Sequence, residues 1–324
     1  MSSSITAPCT PTGSGTVLQA SPLLPDLEKA LAERYRTVRL HELADPAAAL
    51  REHADDVVAA VTSARFGVAN SLMDALPRLR AIVHFGVGYE TTDVTHARAR
   101  GIDVSNTPDV LTDCVADLAV GALIDVMRAL SAGDRYVRDG KWSSAPFPLA
   151  TRVSGKRIGI LGLGRIGRAV ARRFEGFGTS IAYCSRTPVA DVPYRHVPTA
   201  RELAAECDAL VVTVAGGAAT RGLVSAEVLE ALGPRGYLVN VARGSVVDEQ
   251  ALVAAVSEGR IAGAALDVFA DEPNVPRALL ESDRVVLLPH IASATHETRR
   301  AMGDLVLDNL HRFMTEGTLL TPVP

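Results

Sequence analysis

From Lys156 onward, short β-branched and apolar runs alternate with helical stretches, and this alternation limits the fold more than any other feature. The runs are KRIGILG, TSIAYCS, DALVVTVA, GYLVNVA, AGAALDV and RVVLLPH, separated by a helix to about Gly178 and by helices near 199–206, 225–232 and 248–258. Strands this apolar are covered on both faces, and parallel neighbours need a crossover, so six such runs predict a doubly wound parallel sheet. The earlier chain alternates in the same way through TVLQA, PDLEKALAERY, TVRL, DDVVAAVTS, RAIVHF and GIDVSN, which predicts a first α/β domain over residues 16–107. With 324 residues, two cores are expected. The fold class is therefore α/β with two doubly wound parallel-sheet domains.

Between the two alternations, Thr107-Pro108 and the segment DVLTDCVADLAVGALIDVMRALSAGD predict one helix near 108–131. Thr107 would cap it, Pro108 suits its first turn, and its nearly all-round apolar surface calls for packing on two sides. The stretch GKWSSAPFPLATRVSG, broken by Gly140, Pro146, Pro148 and Gly155, reads as a loop. A final helix near 297–316 is expected to pack back on the first domain. Residues 1–15, MSSSITAPCTPTGSG, read as a flexible leader without the basic start and apolar centre of a signal peptide.

Charge excludes some functions. The 33 basic residues are scattered among 37 acidic ones for a net −4, so there is no basic face for nucleic acid. No stretch approaches the roughly 20 apolar residues that span a bilayer. The four cysteines, Cys9, Cys114, Cys184 and Cys207, lack CxxC spacing and suit inert thiols in a reducing cytoplasm. His96, His196, His296 and His311 read as solvated or helix-face residues with no metal spacing, and His84 as a structural hydrogen-bonder. Trp142, the one tryptophan, reads as a packing or dimer contact.

Chemistry enters with GILGLGRIGRAVARR. Gly162-Leu163-Gly164-Arg165-Ile166-Gly167 forms a GxGxxG between a strand and a helix. The first glycine allows the tight turn, the second lets a pyrophosphate approach the backbone, and the third lets the helix pack on the strand. The next strand ends in IAYCSRTP, with Ser185, Arg186 and Thr187 where an acidic residue would select NAD. A hydroxyl and a guanidinium suit a 2′-phosphate, so NADP(H) is the expected cofactor, with NAD(H) as the alternative. Three further strand ends carry Arg243, Glu272 and His290, and ligands bind outside the carboxyl ends of such strands.

The motifs FGVGYETTD, GLGRIGRAVA, VNVARGSVVDEQAL, ALDVFADEP and LLPHIASATHETR together resemble the D-isomer-specific 2-hydroxyacid dehydrogenase family, on its glyoxylate/hydroxypyruvate reductase branch. The resemblance runs from about residue 80 onward; the first 75 residues match only in their pattern of elements. It implies a Rossmann NAD(P)-binding domain, residues 108–292, inserted in a flavodoxin-like substrate domain, residues 16–107 and 293–324. It also implies a homodimer and reduction of a small 2-ketoacid to the D-2-hydroxyacid. Arg243 would hold the substrate carboxylate and carbonyl oxygen. His290 would donate the proton, and Glu272 would orient its ring and favour the protonated form. Val87 and Gly88 would offer backbone amides to the carboxylate. Asp267 would meet the nicotinamide carboxamide, and Val214, Thr220, Val241 and Ala242 complete the expected cofactor contacts. An aryl-pyruvate such as hydroxyphenylpyruvate is the alternative substrate. A dinucleotide-sensing protein similar to the corepressors on this fold is the alternative class, disfavoured by the lack of an extended tail after the last helix.

Overall fold

The β-branched runs become strands. In the computed structural model, which describes residues 15–324, the first five are β1 (Thr16–Gln19), β2 (Arg36–Arg39), β3 (Val57–Ser63), β4 (Ala81–Phe85) and β5 (Asp103–Ser105). The first 14 residues of the expected leader, Cys9 among them, lie outside the described residues. The five strands pair in the order β2-β1-β3-β4-β5, all parallel. Every residue of β4 is buried, as a strand covered on both faces must be. Leu18, Met73, Leu76, Leu79, Ile82 and Ile102 belong to the core of this sheet.

A second sheet contains β6 (Arg157–Leu161), β7 (Ser180–Cys184), β8 (Arg195–His196), β9 (Ala209–Val212), β10 (Tyr237–Asn240), β11 (Gly263–Leu266) and β12 (Val285–Leu287). Its order is β12-β11-β10-β9-β6-β7-β8, again all parallel. The chain winds outward from β6 to β8, then returns to β9 on the other side of β6. That reversal opens a crevice at the carboxyl ends of β6 and β9. The apolar runs predict six strands here; the seventh, β8, is two residues long, too short for periodicity to reveal.

The chain divides into two units, one built from the chain up to Leu111 with His296–Pro324, the other from Thr112–Thr295. In the first, the helix His296–Glu316 buries Met302, Val306, Leu307 and Leu310 and packs against β4. Arg299 stands 5.5 Å over the Phe85 ring on the same side.

The long helix predicted near 108–131 is corrected by the structure. It begins at Thr112, because Asp109 has a φ of 67° that no right-handed helix accepts. Thr107 is not its cap; its hydroxyl accepts Gly86 N at 3.1 Å. The helix stops at Arg128, Ala129 turns left-handed at φ 53°, and a separate helix runs Leu130–Arg138. The Asp125 carboxylate takes Ser131 N at 2.8 Å and Ser131 Oγ at 2.5 Å, so side-chain bonds hold the break. Within its own unit, Thr112–Arg128 packs on the helix Arg165–Glu175 and on β10 and β11. Among the described residues no helix is long and apolar enough to cross a membrane, and no group of three candidate metal ligands occurs.

Candidate active site

All seven strands of the second sheet run the same way, so the segments following β6, β9, β10, β11 and β12 emerge on one edge. The glycine loop follows β6, and its three glycines are used differently. Gly162 has a φ of 100°, and a Cβ there would meet Val214 N at 2.8 Å. Gly167 allows no Cβ at all, since one would lie 2.1 Å from Gly162 O. A Cβ built on Gly164 would meet nothing within 4 Å beyond its chain neighbours, which leaves open the approach a pyrophosphate needs. Arg165–Glu175 starts directly after it, with its first amides and the positive end of its dipole at that opening. Leu163 is buried, so only its backbone faces the loop, whereas Arg165 is exposed. The loop fits a dinucleotide.

Val214 packs against Gly162 after β9, and Thr220 Oγ1 donates to Ala215 O at 2.7 Å, closing the turn beyond it. The segment after β7 is Ser185-Arg186-Thr187. Ser185 Oγ donates to Thr187 O at 2.6 Å and curls the segment on itself, so the exposed Arg186 carries the charge a 2′-phosphate would meet. His196, read from sequence as a solvated or helix-face residue, instead ends β8, and its Nε2 lies 3.1 Å from Ser185 O. Its ring packs 5.2 Å from that of Tyr183. Period-two alternation cannot show a strand of two residues, so this support was not legible.

After β10, buried Asn240 ties the turn that presents Arg243: its Oδ1 accepts Ala242 N at 3.0 Å and its Nδ2 donates to Arg243 O at 2.9 Å. Val241 and Ala242 are buried, and Arg243 is half-buried. A Cβ on Gly244 would sit 1.9 Å from the Phe269 carbonyl carbon, so this glycine lets the Arg243 turn touch the loop after β11. That loop carries Glu272. Its Oε1 accepts Phe269 N at 3.1 Å, and its Oε2 meets His290 Nδ1 at 2.8 Å. The His290 side chain is 43% exposed and that of Glu272 21%, so the ring is reachable while its partner is shielded. His290 has a φ of 55°, a left-handed conformation that a non-glycine residue keeps only when its surroundings impose it.

Part of that imposition comes from Asp267. Fully buried after β11, it accepts Ile291 N at 2.7 Å and Ala292 N at 2.9 Å, one on each carboxylate oxygen. Burial pushes its carboxyl above the usual range, opposed by these two donors. The family resemblance implies a nicotinamide contact for Asp267, and nothing in the sequence signals this clamp on the residues following His290.

In the first unit, Val87 and Gly88 follow β4. Gly86 has a φ of 141°, and a Cβ there would meet the Ala64 Cβ at 2.7 Å. His84 is fully buried with Nε2 at 3.0 Å from Thr92 Oγ1, and burial lowers its imidazole to about 4. It is a neutral structural group. Cys207 is as inert, its thiol raised by burial to about 12, and Cys114, Cys184 and Cys207 are all free.

Residues 120–292 match the family model described as D-isomer specific 2-hydroxyacid dehydrogenase, NAD binding domain. Over 307 residues, 95% of this chain and 98% of the relative, the sequence is 45% identical to glyoxylate/hydroxypyruvate reductase A of Arabidopsis thaliana. Hydroxyphenylpyruvate reductase of Plectranthus scutellarioides is 44% identical over 307 residues, with shares of 95% and 98%. Among solved structures, the NADPH-dependent glyoxylate/hydroxypyruvate reductase of Sinorhizobium meliloti, in complex with NADP and malonate, matches with a TM-score of 0.89 at 46% identity. That match covers 96% of this chain and 97% of the other.

Proposed function

The chain belongs to the D-isomer specific 2-hydroxyacid dehydrogenases, and from that premise we propose that it reduces a small 2-ketoacid of the glyoxylate or hydroxypyruvate type, using NADPH. The observation that carries this reading is the 2.8 Å contact of His290 Nδ1 with Glu272 Oε2, on the sheet edge where the glycine loop opens. An ionised carboxylate only accepts, so Nδ1 keeps its hydrogen and Nε2 is the nitrogen that exchanges a proton. His290 gives that proton to the carbonyl oxygen and becomes the Nδ1–H tautomer that Glu272 already holds. Arg243 grips the carboxylate and carbonyl oxygen, and its fixed charge stabilises the oxyanion character developing there. A nicotinamide held at the glycine loop would supply the hydride for the carbonyl carbon. Gly162 to Gly167, Val214, Thr220, Val241, Ala242 and Asp267 are its proposed neighbours, with Ser185, Arg186 and Thr187 at the ribose phosphate. The amides of Val87 and Gly88 are proposed for the substrate carboxylate.

We further propose a homodimer in a reducing, cytoplasmic setting. Leu130, Val137, Trp142 and Leu149 are exposed by 52%, 54%, 68% and 102% within one short segment, more apolar surface than a solvated arm would carry. The free Cys114, Cys184 and Cys207 among the described residues support the compartment.

Glyoxylate, hydroxypyruvate and hydroxyphenylpyruvate, each assayed with NADPH and with NADH, test the reading. The expected result is turnover of the two small acids, faster with NADPH, with Arg186→Ala removing roughly tenfold or more of that advantage. Faster turnover of hydroxyphenylpyruvate would move the substrate to the aryl class, the alternative that the similarity to the Plectranthus scutellarioides enzyme represents. Cofactor binding without reduction of any 2-ketoacid would overturn the enzyme assignment.

A further inference from the structure

The loop after β4 has two successive carbonyls drawn the same way. Gly86 O accepts Thr107 N at 2.9 Å, and Val87 O accepts Asn106 Nδ2 at 2.7 Å. In a trans peptide the carbonyl and the following N–H point in opposite directions. The N–H groups of Val87 and Gly88 therefore both face away from Asn106 and Thr107. Neither donates to the chain among the described residues. Two adjacent amides aimed one way form a concavity that suits an anion.

Asn106 is itself held. Its carbonyl accepts Thr321 Oγ1 at 2.6 Å, and its N–H reaches Thr321 O at 3.4 Å. Thr321 in turn is fixed by Asn309, which is fully buried in the helix His296–Glu316. Asn309 Nδ2 donates to Thr321 Oγ1, and its Oδ1 accepts Leu320 N and Thr321 N, each at 3.0 Å. The segment also pairs with β5 through Val323 N to Val104 O at 2.8 Å.

We propose that Asn106 is a positioning residue for the substrate carboxylate, held in register by Thr321 and Asn309. It acts by turning the Val87 carbonyl inward and so the Gly88 amide outward. The inference rests on the assignment of Val87 and Gly88 to the carboxylate. It makes Thr321, more than two hundred residues away in sequence from Asn106, part of the substrate grip.

The test uses the full-length protein with saturating NADPH. Asn106→Asp keeps the size but sets an acceptor against the Val87 carbonyl. Thr321→Val removes one donor at nearly constant shape, and Thr321→Ser restores it. The KM for the ketoacid is expected to rise about tenfold in Asn106→Asp and about fivefold in Thr321→Val, the loss of one hydrogen bond, with wild-type values in Thr321→Ser. The KM for NADPH and kcat should hold, because binding alone is removed. A general loosening would instead move both KM values together. If Asn106→Asp does not fold, the Thr321 pair decides. An unchanged ketoacid KM in folded Thr321→Val would overturn the inference while leaving the enzyme assignment intact. A wild type that reduces no 2-ketoacid would overturn that assignment and this inference with it.

Discussion

His290 and Glu272 lie 18 positions apart, and their meeting at 2.8 Å depends on two loops leaving neighbouring parallel strands. The types and the strand ends were legible in LDVFADEP and LLPHIAS, because an acid and a histidine after apolar runs have no packing reason to be there. The Asp267 clamp was not, since a buried aspartate reads the same in sequence whether it faces a ligand or a backbone. His84 was ambiguous for a similar reason, and its burial has a measurable consequence. The folded protein holds its imidazole near 4, whereas the unfolded chain protonates it near 6.5. Below pH 6.5 the unfolded state takes up a proton that the native state refuses, so stability falls as pH drops through this window, by about 3 kcal/mol at its lower end. His84→Gln is expected to flatten the fall of Tm between pH 6.5 and 4, read by thermal melts; a slope as steep as wild type would place the acid sensitivity elsewhere.

At the scale of elements, the strand–glycine loop–helix unit was legible in full, because each of its glycines answers a local steric demand. The structure separates those demands. Gly167→Ala would drive a Cβ to 2.1 Å from Gly162 O, and it is expected to cost roughly 1–3 kcal/mol of stability. Gly164→Ala meets nothing within 4 Å, so its Tm should stay near wild type while the KM for NADPH rises several-fold. Equal loss of stability in both variants would mean that Gly164 serves packing rather than a ligand. The helix predicted near 108–131 shows the limit of local reading. Its apolar period continues past Arg128, but Asp125 captures Ser131 and Ala129 turns left-handed, a side-chain choice that periodicity does not encode.

At the scale of the whole molecule, the exposed Leu130, Val137, Trp142 and Leu149 supply the proposed subunit contact. Trp142→Asp together with Leu149→Asp is expected to shift the protein from dimer to monomer in sedimentation velocity; a wild type already monomeric at micromolar concentration would remove the proposal. The α/β class, both parallel sheets and the strand–glycine loop–helix unit could be read from the chain alone, and so could Arg243, Glu272 and His290 as the candidate set proposed above. These follow from local sterics, apolar period and chemistry stranded at strand ends. Tertiary structure alone decided which groups support them: Gly244 against Phe269, His196 beneath Ser185, Asp267 under the residues after His290, and Thr321 behind Asn106. Each of these joins residues at least 11 positions apart along the chain through one or two hydrogen bonds or one close approach. No periodicity marks such pairs, because their spacing is set by where the folded sheets bring the chain back.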